Sequence, residues 1–349
     1  MPVSESPPYL SIVATTRNDD HGKHMRQRMT LFVRGLLYQT RRIQQEVELI
    51  LVEWNPIAGR PFLAEILPRP EKEDYLTIRY IRVPPGIHHT FGNADKIPLF
   101  QMIAKNVGIR RAKGRFVLCT NVDLLFSSPL FDFLAGMYLF EGSYYRCNRC
   151  DIPSEINYDS SLPDLLDYGR NNILNRLGLY HLEDMVIPKT NAGERSNKFK
   201  LLLKSAINYL WPVFYQKRIV RVEQVDTVAC GDFTLMSKQD WLKIGGYLEL
   251  GAYSIHIDSL ALYAAVSENI KQVVLPPSFC TYHVSHEDGW EQGDPFRKLI
   301  KDIERPMLQW DTVYRIGEIL IKGEQKLQLN PPNWGLADHQ LEEVIQYPE

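Results

Sequence analysis

The chain has 349 residues, of which 44% are hydrophobic and 23% are charged, and its formal net charge is −2. This balance is ordinary for a soluble globular protein and gives no reason to expect nucleic acid as the main partner. No uninterrupted apolar run reaches the length of a membrane span, and the polar, proline-rich start of the chain lacks a signal-peptide pattern, so we expect a cytoplasmic protein. The five cysteines suit a reducing compartment, and we interpret the lone C-x-x-C at Cys147 and Cys150 as ordinary thiols.

The first half of the chain alternates predicted strands and helices. Strands are predicted at residues 9–16, 47–53 and 76–83, and helices at residues 23–38 and 98–111. Gly114 ends the second helix because glycine tolerates the backbone conformation that stops it. The apolar run from Phe116 to Leu118 then predicts a short buried strand. Strands separated by helices indicate parallel β-α units, and hence an α/β fold.

Polar residues stand where several of these strands end, which is the edge at which open α/β sheets bind ligands. They are Thr16, Arg17 and Asn18 after the first strand, Glu53 and Asn55 after the second, and Asn121 and Asp123 after the fourth. A carboxylate at Asp123 could hold a divalent metal, because hard cations favour oxygen ligands. Helix capping and turn closure are the alternative role for such residues.

A family resemblance rests on the segment from Lys105 to Asp123. It reads Lys-Asn-x-Gly-Ile-x-x-Ala-x-Gly-x-Phe-Val, followed by Asn-Val-Asp. This resembles the central signature of GT-A-fold glycosyltransferases, in which an Asp-x-Asp motif meets the metal and the sugar nucleotide. Asn121 replaces the first Asp here, and its amide oxygen can ligate a metal without adding negative charge. The resemblance implies a Rossmann-like, mainly parallel sheet flanked by helices, and a donor that is a UDP-sugar.

The resemblance also implies which residues bind the nucleotide-sugar. The loop after the first strand receives the base and ribose in GT-A enzymes, and Val52-Glu53-Trp54-Asn55 resembles a sequence of exostosin-type members. The implied set is Thr16, Arg17, Asn18, Glu53, Asn55, Lys105, Asn106, Asn121, Val122 and Asp123.

Residues 151–225 are turn-rich and polar, which indicates an insertion or an acceptor-facing excursion. Within this region, residues 195–218 combine basic and aromatic side chains with no acidic residue. Such a segment can lie in a membrane interface, which would suit a lipid-linked acceptor. The alternative is a core helix with a solvated basic edge.

The segment after the insertion predicts a strand over residues 228–237, broken by Gly231, and a short helix within residues 238–247. It resembles the acceptor side of galactosyltransferase-like GT-A enzymes. Gly231 would let a sugar ring approach the backbone, and Asp232 could bind sugar hydroxyls. Trp241 could supply an apolar ring face to the acceptor or anchor the core.

Asp258 opens an apolar helical segment where the family carries a carboxylate pair. The resemblance implies that Asp258 accepts the acceptor proton, and helix capping is the alternative. After a predicted strand at residues 272–275, the family often places a histidine ligand, which matches His283, with His286 as the alternative. The implied cofactor is Mn²⁺ or Mg²⁺. Residues 287–294 could form a loop that closes over the donor, and residues 295–323 predict helix.

These features predict a hexosyltransferase-like GT-A enzyme that moves a sugar to a hydroxyl of a glycan or a lipid-linked saccharide, with membrane association at the cytoplasmic face if residues 195–218 bind lipid. The predicted organisation is a nucleotide-sugar-binding half (1–150), the insertion (151–225), an acceptor and catalytic half (226–294) and a helical extension (295–349). The alternative is a catalytically degenerate sugar- or nucleotide-binding module, since Asn121 and a single Asp258 depart from the family's charge pattern. The Gly-Gly-Tyr at residues 245–247 disfavours a nucleotidyltransferase.

Overall fold

The structure is a computed structural model that describes residues 7–178, 216–286, 306–324 and 328–348. The strands in these ranges are β1 Leu10–Thr16, β2 Val47–Trp54, β3 Leu76–Val83, β4 Phe116–Thr120, β5 Leu124–Phe126, β6 Ser143–Arg146, β7 Asn148–Ile152, β8 Asn175–Leu177, β9 Phe233–Ser237, β10 Lys271–Val274, β11 Cys280–Val284 and β12 Glu342–Gln346. The helices are α1 Met25–Ile43, α2 Leu63–Ile66, α3 Pro85–His88, α4 Gln101–Arg111, α5 Ser128–Ala135, α6 Leu162–Asn171, α7 Lys238–Ile244, α8 Ile257–Ser267 and α9 Trp310–Lys322.

A large central sheet has the strand order β10-β6-β9-β4-β1-β2-β3-β12. The neighbours β4, β1, β2 and β3 are parallel, whereas β9 and β12 run antiparallel to the strands beside them. Every residue of β1, β2 and β4 is buried, because helices cover both faces of this part of the sheet. The predicted α/β fold with a mainly parallel, helix-flanked sheet is confirmed.

Helix α4 lies very close to the sheet, and a glycine permits this. A Cβ atom placed on Gly108 would stand 2.3 Å from Cγ1 of Val13 in β1, so a side chain at this position would force the helix and strand apart. The glycine of the Lys-Asn-x-Gly motif therefore sets the depth at which α4 presents its polar residues to the sheet edge.

A second, smaller sheet has the strand order β5-β11-β7-β8. Strand β11 is antiparallel to β5 and parallel to β7, and this register places His283 opposite both Leu124 and Asp151. Because β5 follows β4 after a short turn, the small sheet brings β11 beside the carboxyl end of a central strand.

Several predicted boundaries differ from the structure. The predicted strand 228–237 starts only at Phe233, because residues 228–232 form turns. Strand β7 crosses the predicted boundary between residues 150 and 151, so the two regions share one sheet. Of the helical extension, residues 310–322 form α9, and the chain then adds β12 to the edge of β3.

The predicted basic segment 195–218 lies outside the described residues except for its last three positions, and so does the proposed closing loop 287–294. Among the helices that the structure describes, none has both the length and the apolar character needed to cross a membrane.

Candidate active site

Three side chains converge where β4 leaves the central sheet. The ligand atoms of Asp123, His283 and His286 all lie within 4.8 Å of one another. Nε2 of His286 is 3.3 Å from Oδ2 of Asp123, and Nε2 of His283 is 3.7 Å from the same oxygen. His283 and His286 were predicted as alternatives, and the structure brings both to Asp123. Strand β11 is far from β4 in the sequence, but it pairs with β5, which follows β4 directly, and this pairing brings the histidines to Asp123.

The electrostatics of this cluster favour a charged carboxylate. Burial raises the pKa of Asp123, but hydrogen bonds with His283 and His286 outweigh that effect and hold the pKa well below its usual range. Burial likewise lowers the pKa of His283, but hydrogen bonds to Asp123 and Asp151 outweigh it and raise the pKa to about 9. A metal ion binding here competes with the proton on the imidazole, so its affinity depends on pH.

The donor set fits a divalent metal ion. Within the described residues, Oδ1 of Asp123 is buried and has no hydrogen-bond partner, which is costly unless a cation is bound there. The Nδ1 atom of His283 is 3.0 Å from Oδ1 of Asp151. Because a carboxylate can only accept, Nδ1 carries the proton and the Nε2 lone pair is left for a metal. Two imidazole nitrogens and a carboxylate are compatible with Mn²⁺.

Asp151 was not predicted from the sequence. It lies on β7 directly opposite His283 on β11, and its carboxylate also accepts from Nε of Arg149 at 2.8 Å. A sequence signal for Asp151 does exist. Side chains alternate between the two faces of a strand, so along Asn148–Ile152 Asp151 lies on the face opposite the buried Cys150. The pairing with β11 is a long-range contact that no local pattern reveals.

A second group of polar side chains surrounds Asn121. Its Oδ1 accepts from Nζ of Lys105 at 2.9 Å and from Nε2 of Gln101 at 2.8 Å, and its Nδ2 donates to Oδ1 of Asp232 at 2.6 Å. These partners fix the orientation of the amide, because only oxygen can accept from an ammonium and only nitrogen can donate to a carboxylate. The amide of Asn121 therefore binds protein partners.

These contacts explain why an asparagine stands at position 121. An aspartate in the same place would put a carboxylate oxygen about 2.6 Å from that of Asp232, and like charges at this distance repel strongly. Lys105 is completely buried and also donates to the carbonyl of Gly231 at 2.7 Å. Burial lowers the pKa of Lys105, and the nearby carboxylates of Asp232 and Asp258 oppose that shift.

The predicted base, Asp258, lies at the start of α8 against Gly231. A Cβ atom on Gly231 would stand 2.9 Å from Oδ2 of Asp258, so glycine at 231 makes room for the carboxylate. Asp258 is partly exposed, and its Oδ1 accepts from the backbone N–H of Ser259 at 3.0 Å. Burial raises the pKa of Asp258 above its usual range. A carboxylate of raised pKa beside a carbonyl and a lysine is a suitable proton acceptor.

Two predicted binding residues have structural roles. Trp241 is completely buried, and its indole N–H donates to the carbonyl of Val117 at 2.9 Å, so it anchors α7 to β4 and offers no face to a sugar. Asn106 is also completely buried; its amide donates to Tyr247 and Glu249 and accepts from the N–H of Tyr247. Trp241 thus has the core-anchoring role that was the alternative from the sequence, and the amide of Asn106 is engaged by protein partners.

The predicted nucleotide-binding residues of β1 and β2 do lie together. Thr16 and Glu53 are paired in the register of the two strands, and Nε of Arg17 donates to the carbonyl of Asn55 at 2.8 Å. Thr16 and Glu53 are buried, while Arg17 keeps 21% of its side chain exposed and is the best placed to meet a ligand. Asn18 donates to the carbonyl of Pro61, and Val122 is buried. Burial raises the pKa of Glu53 to about 7.

The fold and these side chains define an α/β protein with an Asp–His–His cluster, suited to a metal ion, at the carboxyl end of a central strand. No protein-family model and no curated protein sequence matches the chain. Similar solved structures include GalNAc-T7 with UDP, GalNAc and Mn²⁺, which is 12% identical over 89% of this chain and 49% of that chain, with a TM-score of 0.41. Another is residues 1–349 of S. aureus TarS, 14% identical over 89% of this chain and 70% of that chain, with a TM-score of 0.38. The chain spans about half the length of the GalNAc-T7 chain. Neither similarity by itself assigns an activity.

Proposed function

We propose that the chain is a metal-dependent GT-A-type glycosyltransferase that moves a sugar from a UDP-sugar to a hydroxyl of a glycan or lipid-linked saccharide. The observation that carries the proposal is the Asp123–His283–His286 cluster, whose ligand atoms lie within 4.8 Å of one another at the carboxyl end of β4. Ligands of open α/β sheets bind at this edge. The Lys-Asn-x-Gly motif and the Gly231 segment meet at the same edge.

Different charged residues are proposed to bind the metal, the nucleotide and the sugar. Asp123, His283 and His286 would hold Mn²⁺ or Mg²⁺, which when bound stabilises the negative charge that develops on the departing diphosphate. Arg17, whose side chain is 21% exposed, contacts the nucleotide in this proposal. Asp232 accepts hydrogen bonds from sugar hydroxyls, since each of its oxygens has a lone pair left after its contacts with Asn121 and Arg149.

Asp258 is the proposed proton acceptor. The acceptor hydroxyl gives its proton to the carboxylate as its oxygen bonds to the anomeric carbon, and the bond between that carbon and the diphosphate oxygen breaks. Burial raises the pKa of Asp258, which strengthens it as a base, and the charge of Lys105 opposes that shift. Gly231 leaves this carboxylate the space that the transfer needs.

The experiment that tests this function is the release of UDP from a panel of UDP-sugars by purified protein with Mn²⁺, followed with and without oligosaccharide acceptors. We expect one donor to be consumed, and faster when an acceptor is added. Asp123→Asn serves as the matched variant, because it keeps the side-chain shape and removes the ligand charge. Absence of sugar release or transfer from every donor, in protein that still binds UDP, would contradict the proposed activity.

That outcome would support the second candidate, a sugar- or nucleotide-binding module without catalysis. The observation that favours it is the engagement of Asn121, whose amide is occupied by Lys105, Gln101 and Asp232. The cation site therefore has one carboxylate where the resembled family has two. Binding without turnover is the result expected if that missing charge abolishes catalysis.

A further inference from the structure

A single arginine joins the metal-binding cluster to the side chains around Asn121. Arg149 lies on β7, and its Nε donates to Oδ1 of Asp151 at 2.8 Å while its Nη1 donates to Oδ2 of Asp232 at 2.8 Å. The side chains of Arg149, Asp151 and Asp232 are 23%, 15% and 9% exposed, so both ion pairs are largely shielded from water. Shielded, charge-assisted hydrogen bonds are among the stronger polar contacts in proteins.

The two carboxylates held by Arg149 serve different parts of the site. Asp151 accepts from Nδ1 of His283 and so fixes the ring whose other nitrogen faces Asp123. Asp232 accepts from Asn121 and follows Gly231, whose carbonyl is bound by Lys105. An unbroken series of contacts therefore runs from Asp123 through His283, Asp151, Arg149 and Asp232 to Asn121.

We propose that Arg149 is a positioning residue that couples the metal cluster to the sugar-facing carboxylate Asp232. The assignment of Asp232 to a sugar rests on the proposed function, but the coupling itself does not. The rigid fork of a guanidinium can direct separate N–H groups at Asp151 and Asp232 simultaneously, whereas the ammonium of a lysine is a point charge. Loss of the fork releases both carboxylates, and with Asp151 the orientation of His283.

The sign of the effect on metal affinity separates positioning from simple electrostatics. Arg149 carries a positive charge, so if it acted only through its field, Arg149→Gln would strengthen the binding of a cation. If it acts by positioning, Arg149→Gln weakens Mn²⁺ binding by about tenfold or more, the usual effect of losing a partner that orients a metal ligand. Arg149→Lys keeps the charge and loses the fork, and we expect it to weaken binding as well.

A double-mutant cycle tests the coupling to Asp232. Mn²⁺ affinity is measured by calorimetry, without nucleotide or sugar, on the full chain carrying Asp232→Asn, Arg149→Gln or both. Asp232→Asn alone should weaken Mn²⁺ binding by about fivefold or more, although Asp232 lies outside the cluster. In the Arg149→Gln background the same change should alter affinity by less than about twofold, as for independent sites.

The control is Arg170→Gln on α6, which removes an exposed arginine paired with Asp167 and should leave Mn²⁺ affinity unchanged. If Arg149→Gln does not fold, as judged by thermal unfolding, Arg149→Lys completes the same cycle. Three results would each overturn the proposal. They are tighter Mn²⁺ binding by Arg149→Gln, an undiminished effect of Asp232→Asn in that background, and no Mn²⁺ binding by the unmodified chain. Failure to turn over any UDP-sugar would refute the proposed function, but the Mn²⁺ affinities of the double-mutant cycle would still test the coupling through Arg149.

Discussion

The substitution Gly231→Ala tests how tightly the site is built around Asp258. The added Cβ atom would lie 2.9 Å from Oδ2 of Asp258. Since ordinary carbon–oxygen contacts begin near 3.4 Å, the carboxylate must move by about half an ångström or rotate away. Oδ2 is the end of a side chain, so the movement is inexpensive for folding, and we expect a loss of about 1 kcal/mol or less. Displacements approaching 1 Å in a catalytic group can cost about 10²-fold in rate, so turnover should fall about 10- to 100-fold.

The assay measures sugar transfer and thermal unfolding on the same preparation. Gly86→Ala is the matched control, because a Cβ there meets no atom within 4 Å and the change should affect neither quantity. Full turnover by Gly231→Ala would contradict a catalytic role for Asp258 that depends on its present position. A fall in the free energy of unfolding large enough to account for the lost turnover would also contradict that role, because the substitution would then act on the fold.

Three further substitutions have expected outcomes. Asp258→Asn should lower turnover by about 10²–10⁴-fold with UDP affinity unchanged, and equal turnover would remove Asp258 from catalysis. Because burial raises the pKa of Asp258, the charged carboxylate destabilises the folded protein as pH rises. In denaturant unfolding, the stability of the variant relative to the parent should therefore be greater at pH 8 than at pH 4. Burial raises the pKa of Glu53 from 4.5 to about 7, so its contribution to stability is present below pH 4.5 and lost as pH rises to about 7. Glu53→Gln should abolish this loss, roughly 3 kcal/mol at most, in urea unfolding at the two ends of that range, and identical pH profiles would contradict the burial of a charged Glu53. Trp241→Phe should lower the free energy of unfolding by about 1–3 kcal/mol with KM for the acceptor unchanged, whereas a raised KM would return Trp241 to the acceptor site.

The central strands and the helix before β4 could be predicted from the sequence because their signals are local. The range 76–83 matches β3 to the residue, since apolar residues mostly alternate with polar ones along Leu76–Val83, which is the pattern of a strand. Helix α4 and the position of Asp123 follow from the same kind of pattern. The strand at 228–237 was predicted too long, because apolar residues in a turn look the same as those in a strand.

The site was less predictable because its contacts are long-range. Asp123 and His283 are 160 positions apart and meet through the pairing of β11 with β5, and Asp151 and Arg149 join them from β7. The family resemblance implied a metal site at Asp123 and His283, and ligand contacts for Asn106 and Trp241. Their amide and indole groups are instead satisfied by the backbone of neighbouring segments, which a sequence pattern does not show.

The measurement that tests the account most directly is the affinity of UDP for the purified protein by calorimetry, with Mn²⁺ and with a chelator. The central claim is that Asp123, His283 and His286 hold a metal ion against the diphosphate of a nucleotide-sugar. We therefore expect Mn²⁺ to tighten UDP binding, and Asp123→Asn to remove that gain while leaving the metal-independent affinity in place. Identical UDP affinity with Mn²⁺, with Mg²⁺ and with chelator would contradict the claim.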